Sequence, residues 1–77
     1  MKQVEIIDIE NKKYMVLNEI VDNGDTYLYL NNIKNPKDFI IQKVDKNDES
    51  YLVNLDNDEE FNRALNLFKN KIDEIDN

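Results

Sequence analysis

The chain has no cysteine, no histidine and no tryptophan, and only one glycine and one proline. Each shortage removes a class of function. Without cysteine there is no disulfide, no thiolate metal ligand and no thiol nucleophile. Without histidine the commonest general base and the commonest transition-metal ligand are missing. A single glycine, Gly24, cannot build a phosphate-cradling loop. No Gly-x-Ser-x-Gly elbow surrounds Ser50. The expectation is a protein that is not an enzyme, with no catalytic residue, no cofactor and no metal site. Long apolar runs are also missing, Tyr27–Leu30 being among the longest. A membrane span needs about 20 apolar residues. The segment Met1–Glu5 lacks the apolar core of a signal peptide. A cytoplasmic protein that avoids membranes is expected.

Positive charge is the other shortage. Ten basic residues face 17 acidic ones, for a net charge of −7. A duplex nucleic-acid binder needs a basic face against the phosphates, so no direct nucleic-acid binding is expected. The charge is uneven. Residues 1–38 carry five Lys and seven Asp/Glu, and residues 39–77 carry five Lys/Arg and ten Asp/Glu. Solubility is the ordinary reason for such a surplus.

What is present points to one domain over 1–77. A chain this short buries only about 60% of the surface its unfolded form exposes, so one small core is expected. Alternation places strands within 3–55. Val4–Ile9 is the first, closed by a turn at Glu10-Asn11. Lys13–Val21 is the second. Asp22-Asn23-Gly24-Asp25 then signals a two-residue hairpin turn, because both central positions of that turn need positive φ. Thr26–Leu30 returns. The turn sets a register of Asp22 with Asp25, Ile20 with Tyr27, Asn18 with Tyr29 and Leu17 with Leu30. Met15, Leu17, Val21, Leu28 and Leu30 then share the better core face. Tyr14, Val16, Ile20, Tyr27 and Tyr29 share the other. After a polar loop broken by Pro36, Asp38–Val44 and Tyr51–Leu55 form a second hairpin.

Phe61, Ala64, Leu65, Phe68, Ile72 and Ile75 follow helical spacing on one stripe. The spacing predicts a helix over about 57–72 and a frayed tail at 73–77. Asn57 with Glu60, or Asp56 with Glu59, fits a cap followed three residues later by Glu. Lys69 and Lys71 offer the complementary sign toward the far end. The predicted fold is α+β: a four- or five-stranded antiparallel meander with one C-terminal amphipathic helix packed on one sheet face.

Two groups of residues are candidates for partner binding. Asp56, Asp58, Glu59 and Glu60 offer oxygens suited to a hard cation or to a basic partner. Capping and dipole compensation account for most of these positions without a ligand. Tyr14, Tyr27 and Tyr29 offer an aromatic platform of the kind enriched at protein interfaces. The plainer alternative is an ordinary two-sided sheet with one wet face. Asp45–Glu49 begins like a calcium loop but has Ser50 where such a loop needs Gly, so a charged hairpin turn is expected there.

Three segments together, YMVLNEIVDNGDTYLYL (Tyr14–Leu30), NPKDFIIQKVDKNDESYLVNL (Asn35–Leu55) and DNDEEFNRALNLF (Asp56–Phe68), resemble the DUF1292 family of small acidic bacterial proteins. The resemblance implies the fold, a cytoplasmic location and a bacterial or phage origin. It brings no activity, cofactor or catalytic residue. The function expected is a small acidic protein acting through contacts with an unidentified, basic protein partner, as monomer or homodimer. The alternative is an acidic inhibitor that mimics nucleic acid and blocks a basic nucleic-acid-binding protein.

Overall fold

The computed structural model describes residues 5–76, with side chains through Lys71. Five strands precede one helix: β1 (Ile6–Ile9), β2 (Lys12–Asp22), β3 (Asp25–Asn32), β4 (Phe39–Val44), β5 (Leu52–Val53) and α1 (Asp58–Asp76). The strands form one antiparallel sheet in the order β1-β2-β3-β4-β5. The fold is an α+β meander with a C-terminal helix, and the sheet has five strands.

Two turns of positive φ start the sheet. Asn23 and Gly24 have φ of 56° and 82°, as a type I′ hairpin turn requires. Glu10 and Asn11, at 50° and 67°, make a second such turn between β1 and β2. Asp22 and Asp25 face each other across the first turn. Each has its own cation, Arg63 at 3.5 Å for Asp22 and Lys46 at 3.4 Å for Asp25.

The expected register holds from Asp22–Asp25 to Asn18–Tyr29 and then slips. Leu30 pairs with Val16 instead of Leu17. Leu17 is the extra residue of a β-bulge and is 51% exposed. One inserted residue moves every side chain before it to the other face. Tyr14 and Val16 therefore join Leu28 and Leu30, and Met15 joins the face of Tyr27 and Tyr29. The expected core face of Met15, Leu17, Val21, Leu28 and Leu30 does not exist as a unit, and Val21 is 66% exposed.

The helix covers the face of Tyr27 and Tyr29. Tyr27, Ile41, Ala64 and Phe68 form the buried cluster, with Ile20, Tyr29, Leu55, Phe61 and Leu65 against it. Tyr29 stacks on Phe39 at 5.2 Å and meets Phe68 edge-on at 5.5 Å. A second cluster of Tyr14, Leu28 and Leu30 lies on the opposite, concave face. There Leu30 is wholly buried although, among the described residues, no helix covers it. Ile7 and Ile9 from β1 and Leu52 from β5 pack around it. The sheet is thus curled until its two edge strands share one hollow.

The helix starts on Asn57, whose Oδ1 accepts from the Glu60 N–H at 2.9 Å. Of the two caps the sequence allows, Asn57 with Glu60 is the one formed. The helix continues to Asp76, beyond the expected end at residue 72, and no basic residue falls in its last turn. Lys69 and Lys71 therefore do not complement its C-terminus. Lys71 instead donates to the Glu19 carbonyl of β2 at 2.7 Å. The side chains of Ile72 and Ile75, and those of the expected tail at 73–77, lie outside the described residues. Among the described residues no helix is long and apolar enough to cross a membrane.

Candidate functional site

The three tyrosines do not form one platform. Tyr27 is 1% exposed beneath the helix and Tyr14 is 4% exposed on the opposite face. Tyr29 is half-buried beside Phe39 and Phe68. A buried tyrosine needs a partner for its hydroxyl, and both buried ones have a carboxylate. Tyr27 Oη donates to Glu60 Oε2 at 2.8 Å, and Tyr14 Oη donates to Asp38 Oδ2 at 2.9 Å. Burial, and then the bond to Glu60, pushes the Tyr27 hydroxyl pKa up. The bond to Asp38 raises that of Tyr14. Asp38 in turn is held below the usual carboxylate range, by the Asn32 amide first and the Tyr14 hydroxyl second. Both tyrosines are anchors of the sheet.

The acidic cluster is divided as well. Asp56, Asp58 and Glu59 are exposed. Glu60 is 9% exposed and its carboxylate is fully engaged. Oε1 accepts from the Asp56 N–H at 2.6 Å, and Oε2 accepts from Tyr27 and, at 3.0 Å, from Lys43. The backbone N–H of Asp56 is the main cause that lowers the Glu60 pKa from 4.5 to about 2, with Tyr27 and Lys43 adding to it against the burial penalty. Lys43 is raised above its ordinary value mainly by its bond to Glu60, and it also reaches Asp56 at 3.3 Å. Among the described residues no three acidic groups are placed to hold a metal ion. The sequence carried a signal for this network. Lys43 follows Phe39 and Ile41 at inward-facing spacing, and an inward lysine calls for an acid.

What sequence reasoning missed lies on the concave face. An open groove of about 600 Å³ runs between β1 and β5. Its apolar lining comes from Ile7, Ile9, Leu28, Val44 and Leu52. Glu5, Glu19 and Glu49 supply carboxylates, Asp8 and Gln42 add polar atoms, and among the described residues no lysine or arginine lines it. Tyr51, 63% exposed, stands at its edge. Two signals could have pointed here: Glu19 interrupting an apolar strand, and an aromatic residue closing a charged turn.

The family model described as "Protein of unknown function (DUF1292)" matches residues 1–73 of the 77. The chain belongs to the DUF1292 family. The match spans both hairpins and the helix to residue 73, so the groove and the Glu60 network both lie within the DUF1292 region. No curated protein and no solved structure matches the chain.

Proposed function

We propose that this DUF1292 protein is a small, non-enzymatic, cytoplasmic module of bacterial or phage origin that acts through protein–protein contacts. The concave groove is its docking face, and its partner is basic. One observation carries this reading: among the described residues, the face that the helix leaves open combines an apolar floor with a rim of carboxylates and no cation. Such a surface attracts a positively charged partner and repels nucleic acid and anionic lipid. A second copy would bring the same carboxylates to the same place, so the working form is a monomer. The nucleic-acid-mimic alternative draws on the exposed acids at the helix start. It has less to use than the sequence promised, since Glu60 is buried and Asp56 is paired with Lys43.

Affinity capture from the native host, with mass spectrometry, tests this with three baits. The first is the wild type. The second carries Glu19→Lys, Glu49→Lys and Tyr51→Ala in the groove. The third carries Asp56→Asn, Asp58→Asn and Glu59→Gln. A basic protein retained by the first and third baits and lost by the second is expected. Loss from the third bait alone would transfer the site to the helix start and favour the mimic.

A further inference from the structure

The edge of β1 says what form the occupant takes. Val16 N–H donates to the Glu5 carbonyl at 3.0 Å. Ile6 pairs with Met15, Ile7 with Tyr14, Asp8 with Lys13 and Ile9 with Lys12. In an antiparallel ladder, residues alternate between exchanging both bonds with the partner strand and exchanging none. Ile7 and Ile9 therefore turn their N–H and C=O groups toward β2. Ile6 and Asp8 turn theirs outward. Among the described residues no strand pairs with that outer edge. The Asp8 side chain bonds Lys13 at 3.0 Å, on the helix side of the sheet, yet Asp8 also lines the groove.

We propose that the groove takes an extended, basic segment of a partner protein, which adds as a strand to the free edge of β1. This rests on the groove being the docking face. Alternate side chains of an added strand point to opposite faces. The set that enters the hollow would carry both kinds of residue, apolar ones over Ile7, Ile9 and Leu28 and lysine or arginine toward Glu5, Glu19 and Glu49 on the same face. Backbone bonds would supply affinity, and the alternation would supply selectivity, as in other cases of strand addition. Among the described residues the groove has no cation to repel such a segment and no basic residue to hold an acidic one.

The test uses the whole chain and four synthetic peptides of about eight residues, an ordinary strand length. One, the Lys/Val peptide, repeats Lys-Thr-Val-Thr so that lysine and valine share one face, one carries Glu in place of each Lys, one is all Lys, and one is the Lys/Val peptide with a central Pro. Binding is followed by amide NMR shifts and amide hydrogen exchange. The Lys/Val peptide should shift resonances of β1, Glu19 and Leu28 and slow exchange at Ile6 and Asp8. Proline lacks the N–H of a ladder residue, so its peptide should bind about tenfold more weakly or worse. Glu19→Lys with Glu49→Lys should weaken the Lys/Val peptide by a similar factor, with unchanged melting temperature. Equal groove binding by the Pro peptide would overturn strand addition while leaving the groove as docking face. No groove shift with any peptide would remove both. Equal binding by all-Lys, with shifts at Asp56, Asp58 and Glu59, would reduce the effect to unspecific charge and overturn the proposal.

Discussion

A nearly buried carboxylate must be paired or give up its charge. Glu60 keeps its charge because a backbone N–H, a tyrosine hydroxyl and a lysine all point at it. Glu60→Gln should lower stability at neutral pH by roughly 1.5–3 kcal/mol, the usual worth of bonds to a charged group. The pH dependence has a definite sign. The carboxylate titrates near 4.5 when unfolded and near 2 when folded. Its stabilisation is therefore complete above 4.5 and disappears as pH falls toward 2. Urea unfolding of both proteins from about pH 7 to about pH 2 should show the gap between them closing over that window. A constant gap would mean that Glu60 stabilises by shape and not by charge.

At the scale of elements, the two turns of positive φ make opposite predictions. A side chain in the left-handed region costs roughly 1–2 kcal/mol, and Glu10 carries that strain. Glycine there relieves it but adds unfolded-state freedom worth about 0.5–1 kcal/mol. Glu10→Gly should therefore raise stability by about 0.5–1 kcal/mol. Gly24→Ala, by the same two terms reversed, should lower it by about 0.5–1 kcal/mol. Nothing lies within 4 Å of the new Cβ at Gly24, so the loss there is conformational and not a clash. Urea midpoints would check both, and two changes of the same sign would contradict the turn assignment. The Asn23-Gly24 turn was legible because its backbone chemistry is local. Glu10-Asn11 was legible as a turn, but Glu does not announce a left-handed position. The bulge at Leu17 was not legible at all. Tyr14 to Leu17 is one apolar run, and such a run does not show where alternation skips a step.

For the whole molecule, the decisive feature is a thin sheet with a core on each side. Phe68 of the helix and Leu30 in the hollow are both fully buried. Phe68→Ala should cost about 3–5 kcal/mol and Leu30→Ala about 2–5 kcal/mol. Both should shift a single cooperative unfolding transition. A Leu30→Ala cost near the surface range of about 0.5 kcal/mol would show that β1 and β5 do not seal the hollow. Curling leaves β1 and β5 unpaired to each other, and that opening makes the groove. The candidate site was hidden in the sequence for this reason. Its lining comes from Ile7, Leu28 and Leu52, residues far apart in the chain that meet only when the sheet bends.

The sequence alone determined the elements and most of the hairpin register. Alternation, the Asn23-Gly24 turn and the Asn57–Glu60 cap act over a few residues, and nothing distant was needed to read them. It also set the net charge of −7. Tertiary structure decided which sheet face the helix covers, that Tyr14 and Tyr27 are anchors, and that Glu60 is buried while its neighbours stay exposed. It also placed an acid-rimmed groove beside β1, an edge strand of the described sheet. These depend on one extra residue at Leu17, which exchanges the two faces of β2, and on a curl that brings the first strand near the last. Both are set by how distant side chains fill the space between them, which local spacing cannot encode.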